Sequence, residues 1–232
     1  MTAPGGHSRG LAAEWAVVRR RRRALAAHFD VARQFEEIEE SCVPSYVHGN
    51  LAAAAVSWWR LILAARLFRA QAARLGVAPG PVLDFGAASG ELSHFLGPGV
   101  PYHFVEQDDL LAGALAAFVP GARREDAAAL PPGRFAAVFA LDSLEHNDDV
   151  GALLDLLRDT LRADGLLVLS GPTENALYRL GRRLAGFSGH YHTTTIGDIE
   201  RLTAQRFTRE ARRLVPLALL PLFSVSVWRR DG

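Results

Sequence analysis

The chain has 232 residues, 49% of them hydrophobic, enough for one well-cored domain with at most a small appendage. A formal net charge of +1 excludes a general basic field for nucleic acid, and 22% charged residues exclude a chain disordered by composition. All 26 basic residues are arginine, which excludes a lysine base or Schiff base; the single cysteine, Cys42, excludes an internal disulfide framework and argues against a cysteine-based metal site.

Residues 1–10 are small and polar and read as a loose tail. Leu11–Glu40 is expected as one helix, with Trp15, Val18, Leu25, Phe29, Ala32, Phe35 and Ile38 on one face. The block Arg19–Arg23 on it reads as a solvated helix face, with contact to an anionic surface as the sharper alternative. Ala-Leu-Ala-Ala-His-Phe-Asp follows the block instead of a long apolar core, so no signal peptide is expected, and the lone cysteine fits a reducing, cytoplasmic setting. Ser41–Asn50, with Pro44 and Gly49, is a break.

Leu51–Leu75 is expected as a second, very apolar helix carrying Trp58, Trp59, Leu61, Leu63, Leu67 and Phe68. Packing on the core is its plain reading. The sharper readings are a pocket cover, a homodimer contact through the N-terminal helices, or a peripheral membrane contact. Arg60 and Arg66 interrupt Leu51–Phe68, and Pro216 and Pro221 interrupt Leu214–Trp228, so no transmembrane segment is expected. Before Gly76 there are 11 arginines against 6 acids, and after it 15 against 19. This asymmetry and the Gly-Pro cluster at Gly76–Pro79 divide the chain into a helical cap, 1–76, and an α/β domain, 77–232.

Beyond that boundary strand and helix patterns alternate, which means a parallel sheet with right-handed crossovers. Strands are expected at Val82–Phe85, Tyr102–Glu106, a short edge near Gly121–Arg124, Phe135–Leu141 and Leu166–Ser170. Helices are expected from near Gly90, at Asp109–Phe118, at Val150–Leu161 and at Thr195–Phe207. Arg209–Leu217 and Leu222–Arg230 read as a closing antiparallel pair with Pro216 and Pro221 at its turn. The turn Gly86-Ala87-Ala88-Ser89-Gly90 is built from small residues, so a ligand can approach its backbone. Its glycines do not fit the G-x-G-x-x-G dinucleotide fingerprint, and Asp84 just before them suits a positively charged ligand better than a phosphate.

Asp84, Gly86 and Gly90 resemble the first motif, (D/E)-x-G-x-G-x-G, of class I S-adenosylmethionine-dependent methyltransferases. Ala88 stands at the middle glycine, where an alanine resists a positive φ. Phe135–His146, FAAVFALDSLEH, carries a second resemblance, and the likeness covers about residues 80–172, chiefly to the type-11 and ubiquinone/menaquinone branch. It implies a Rossmann-like fold: a mostly parallel seven-stranded sheet in the order 3-2-1-4-5-7-6, a C-terminal antiparallel hairpin, and here a helical N-terminal extension. It implies S-adenosyl-L-methionine as cofactor.

Glu106, 22 residues after Asp84, would accept hydrogen bonds from the ribose hydroxyls, with Gln107 beside it. Asp126 and Ala127 would meet the adenine, and Ala140, Leu141 and Asp142 the methionine end. His146 would be a base or the cap of the next helix. The stretch Ser170–His192 lies where the family binds its acceptor; there His190, Tyr191 or His192 would face the acceptor, a histidine acting as base. His190 and His192 lack a third metal ligand nearby, so no metal is expected.

The implied activity is methyl transfer to an O- or N-nucleophile of a small-molecule or lipid-like acceptor. The alternatives are a non-catalytic methyltransferase-like module bound to a protein partner through Leu51–Phe68, an NAD(P)-dependent oxidoreductase, and a nucleic-acid methyltransferase. The negative balance after Gly76 and the lack of a D/N-P-P-Y run argue against the last.

Overall fold

A computed structural model describes residues 10–31, 33–34, 38, 41–173, 195–217 and 220–230. Helix α1, Leu11–His28, is shorter than the expected helix to Glu40: the chain turns extended at Phe29 (φ −104, ψ 123). Helix α2 is Val43–Val47, with proline in its first turn, where a missing N–H costs nothing. Helix α3, Leu51–Leu75, has the expected bounds. Asn50 starts it by accepting from the Ala52 and Ala53 amides, and Gly76 stops it in a left-handed conformation (φ 69).

The sheet has the order β3-β2-β1-β4-β5-β7-β6. Strands β1 (Val82–Phe85), β2 (Tyr102–Val105), β3 (Arg123–Arg124), β4 (Phe135–Leu141) and β5 (Leu161–Pro172) run parallel. Strand β7, Leu220–Arg230, is antiparallel to β5 and to β6, Phe207–Leu217, and Pro216 faces Pro221 at the hairpin end. Topology and hairpin are those of the Rossmann-like class I methyltransferase fold that the motifs implied. Between the strands lie α4 (Ser93–Leu96), α5 (Asp109–Phe118), α6 (Val150–Thr160) and α7 (Ile196–Thr203). The helix after β1 is a single turn because Gly97 (φ 108) and then Pro98 cannot continue it. Strand β5 begins earlier than expected: α6 runs straight into Leu161, which pairs with Phe135.

The core has two layers. On one face of the sheet Ala137, Phe139, Leu166, Val168, Val225 and Val227 form a single cluster with Val18, Leu25, Trp58, Leu61 and Ile62 of α1 and α3. On the other, Val138, Ala140, Leu167, Leu169 and Trp228 pack with Leu154, Leu157 and Ile199. Alternate β4 residues thus feed opposite layers, and every β4 residue is buried. By length and apolarity α3 could cross a bilayer. Here Trp58 and Ile62 are fully buried against the sheet, each contributing about 1.5–3 kcal/mol.

Charge joins the N-terminal helices to one another and to the rest. Buried Glu14 of α1 takes the Arg66 guanidinium of α3 (2.8 Å). Buried Arg21 forks onto Glu91, just past the glycine turn, at 3.0 and 2.8 Å. Arg22 donates to the Tyr46 and His48 carbonyls. Two arginines of the basic block are therefore internal ties; Arg19, Arg20 and Arg23 are exposed, as the plain reading of a solvated face expects.

Candidate active site

In register, Phe85 lies beside Val105 and Ala140, so the carboxyl ends of β1, β2 and β4 open on one edge. Ligands of open α/β sheets bind at such an edge, where the strand order reverses. The turn after β1 has three left-handed residues: Gly86 (φ 74), Ala88 (φ 46) and Gly90 (φ 77). Gly86 is obligatory, since an added Cβ would stand 2.4 Å from Ser143 Cβ; at Gly90 it would stand 2.6 Å from Leu115 Cγ. The expectation that alanine keeps Ala88 from positive φ is corrected by this geometry. Left-handed backbone costs about 1–2 kcal/mol. The Ala88 amide donates to Glu106 Oε2 at 2.7 Å, and a bond to a charged group contributes about 1.5–3 kcal/mol.

Glu106 follows β2 directly. Its second oxygen accepts from the Asp108 amide (3.0 Å), so both oxygens are aimed by backbone and each keeps lone pairs for a ligand. Exposed Gln107 follows; Arg124 of β3 holds the carbonyls of both residues (2.7 and 3.3 Å). Asp126 is exposed and accepts from the Ala128 amide (2.9 Å), capping the turn Ala127–Ala129; Ala127 packs on the second core layer. Asp84 is placed beneath the turn, 3% exposed, and accepts from the Tyr102 hydroxyl. Burial, with Glu106 adding repulsion, pushes its carboxyl up to about 7 against the opposing Tyr102 bond.

At the end of β4, Ala140 and Leu141 are buried and Asp142 turns left-handed (φ 56). Its amide donates to the Ser170 carbonyl, and the Ser170 hydroxyl donates to Oδ1 (3.2 Å). Oδ2 forms an ion pair with Arg60 of α3. Around Arg60 stand Cys42 Sγ and the Tyr46 hydroxyl, each 3.5 Å from Nη2, and the Phe223 ring, centred 4.9 Å from the guanidinium carbon. Burial pulls the guanidinium down, but the neighbouring thiol and hydroxyl raise it above its ordinary value. Burial pushes the Tyr46 hydroxyl well up.

His146 lies on the short turn Leu144–His146; its side chain is outside the described residues, as are His190, Tyr191 and His192. Of the two roles open to His146, the cap of α6 belongs to Asp149, which accepts from the Ala152 amide (2.8 Å).

The edge therefore brings together Gly86, Ala88, Gly90, Glu106, Gln107, Ala140, Leu141 and Asp142, with Asp126 and Ala127 on the next strand's loop. It adds Arg60, Cys42 and Tyr46, which sequence reasoning missed as site residues. One signal existed: an arginine inside an apolar helix must find a partner, because a lone buried charge is prohibitive. The donor set fits a nucleoside carrying a charged tail. A backbone-held carboxylate suits a diol, small residues leave room, and Ser143 Oγ beside Gly86 is buried without a hydrogen-bond partner among the described residues.

The family profile described as methyltransferase domain matches residues 59–207. No curated protein sequence matches the chain. Among solved structures, the CurJ carbon methyltransferase is 16% identical, with TM-score 0.62, covering 95% of this chain and 67% of that one. Magnesium protoporphyrin IX methyltransferase (ChlM) from Synechocystis PCC 6803, with bound SAH, is 20% identical, with TM-score 0.58, covering 80% and 91%. The PH0226 protein of Pyrococcus horikoshii OT3 is 18% identical, with TM-score 0.55, covering 71% and 91%.

Proposed function

The chain belongs to the methyltransferase-domain family, and on that premise we propose that it transfers a methyl group to an O- or N-nucleophile of a small-molecule or lipid-like acceptor. It is an enzyme, and its cofactor is S-adenosylmethionine. When bound, that cofactor supplies a methyl carbon on a positively charged sulfur, already activated for displacement. What the protein adds is mainly placement.

In this reading the turn Gly86–Gly90 admits the ligand backbone-close, and Glu106 accepts from the ribose hydroxyls with Gln107 beside it. Asp126 and Ala127 face the adenine, and Ala140 and Leu141 line the methionine end. Asp84 supports the turn from beneath. An O- or N-nucleophile that arrives protonated needs a base; His146, His190 and His192, with Tyr191, are the groups proposed for the acceptor side. The observation that supports the reading most is Glu106 held by the Ala88 and Asp108 amides, a preset carboxylate at the strand end. ChlM, whose structure carries SAH, shares the fold.

Calorimetric titration with S-adenosylmethionine and its demethylated product tests this. Wild type should bind both, and Glu106→Ala should bind each about 10- to 100-fold more weakly, the value of bonds to a charged group. A wild type that binds neither ends the proposal.

A further inference from the structure

Helices cover both sides of the sheet, and the two layers meet solvent with different chemistry. Helices α6 and α7 mix their signs: Arg158 lies 3.6 Å from Asp155 and 3.5 Å from Asp159, and Arg201 lies 2.8 Å from Asp198. Interspersed charge of this kind is the ordinary way a surface stays soluble.

The other layer is built from α1, α3 and α5, whose Val18, Leu61 and Leu115 share one core cluster. These three helices contain two acids, Glu14 and Asp109. Glu14 is buried against Arg66, and Asp109 is paired with Arg124 at 2.7 Å. From Ala12 to Ala27, every exposed residue of α1 is an alanine or one of Arg19, Arg20 and Arg23. At 3.6 residues per turn the three arginines fall within about 100° of one another. None of them has an ion-pair partner among the described residues. The chain's preference for arginine and alanine does not explain this face, because α6 and α7 of the same chain have their acids.

The same layer holds exposed apolar side chains. Leu11 (45%), Leu51 (67%) and Leu110 (36%) stand in the first turns of α1, α3 and α5; among the described residues Leu217 is the other large apolar side chain so exposed. Glu14 meets Arg66, and Arg22 meets the His48 carbonyl just before α3, so α1 and α3 run antiparallel. Leu11 and Leu51 therefore mark opposite ends of the pair, with the arginines between them. Helix α5 borders α1, since the Arg21 guanidinium lies 4.2 Å over the Phe118 ring, and it has no charged residue after Asp109. Trp59, half-buried on α3, adds an amphipathic ring beside Arg66.

Unpaired arginines attract any polyanion, but exposed leucines gain only from an apolar phase. A nucleic acid would use the first and leave the second in water. A second copy docked through the same face would set arginine against arginine. We propose that the outer face of α1, α3 and α5 docks the protein peripherally on an anionic lipid bilayer. Arg19, Arg20 and Arg23 meet the headgroups, and Leu11, Leu51 and Leu110 enter the headgroup boundary. The docking needs neither cofactor nor acceptor, so it stands apart from the methyltransferase reading.

The full chain is sedimented with vesicles of phosphatidylcholine alone and of phosphatidylcholine mixed with phosphatidylglycerol. It brings in Glu36, Glu37, Glu39 and Glu40, which lie outside the described residues. Wild type should bind the mixed vesicles, leave the neutral ones, and come off in molar salt, where charge reaches only about 3 Å. Arg19→Gln/Arg20→Gln/Arg23→Gln should bind about 100-fold more weakly. Leu11→Gln/Leu51→Gln/Leu110→Gln, with its charge unchanged, should bind about 10-fold more weakly. Thermal melts check both variants; should either not fold, the lipid and salt comparisons on wild type still decide.

Wild type that ignores the mixed vesicles, or binds neutral ones equally well, overturns the proposal. So does an arginine variant that sediments like wild type. A leucine variant as tight as wild type also overturns it, and displacement of the vesicles by duplex DNA would then give the face to nucleic acid. A dimer in light scattering that the leucine variant breaks, with no vesicle binding, overturns it in favour of a second copy.

Discussion

Two carboxylates sit at the same edge of the sheet and are satisfied in opposite ways. Glu106, after β2, is held by backbone amides of Ala88 and Asp108. Asp142, after β4, is held by side chains, Arg60 of α3 and Ser170 of β5, with Cys42 lying 3.9 Å away across 100 residues of chain. An amide-held acid costs little to keep charged and remains open to a ligand. An arginine-held acid is committed: its charge and its partner's are tolerable only together. The half of the edge towards β2 is thus set by backbone amides, while the half towards β5 is set by a tertiary contact with α3.

Breaking the committed pair should give the largest effect. Arg60→Met leaves Asp142 as an uncompensated charge and should destabilise by about 3–5 kcal/mol in urea unfolding, with Arg60→Met/Asp142→Leu recovering most of it. Equal losses in the single and double variants would dissolve the contrast with Glu106.

Next in size is a pH effect at Asp84, a buried acid that no cation pairs among the described residues. Its folded pKa, about 7, lies above the unfolded value near 3.9. Below pH 4 both states hold the proton. Between 4 and 7 only the folded state does, so stability falls as pH rises, by at most about 1.4 kcal/mol per unit, and levels off above 7. Asp84→Asn should flatten melting temperature against pH across that window; an unchanged slope would refute the buried-acid account.

The smallest effect is local. Asn50→Ala removes the cap of α3, the helix that carries Arg60, and should cost about 1 kcal/mol with no change in ligand affinity. A loss of affinity there would mean that the cap also sets the Arg60 position.

Much of the fold was legible in advance. Val82–Phe85, Asp109–Phe118, Phe135–Leu141 and Leu51–Leu75 have their expected bounds, because each is a compact apolar run between turn residues. Where expectation and structure part, tertiary context decided. The helix from Leu11 ends at His28, and β5 reaches back to Leu161 because β4 offers Phe135 as a partner. Within the site, Glu106 stood out by its distance from Asp84, and the glycine turn by its small residues. Ala88 was misjudged because its left-handed backbone depends on a carboxylate 18 residues away.

By itself the sequence determined which stretches form strands, the glycine turn and the acid at the end of β2, since these rest on apolar period, turn chemistry and spacing along one stretch of chain, while the strand order of the sheet was implied by the family resemblance. The tertiary structure alone decided that Arg60 lies against Asp142, that Arg21 grips Glu91 beside the turn, and that Asp84 points inward to Tyr102. A buried charge is fixed by whatever partner the fold brings within about 3 Å, and no periodicity in the chain records which partner that is.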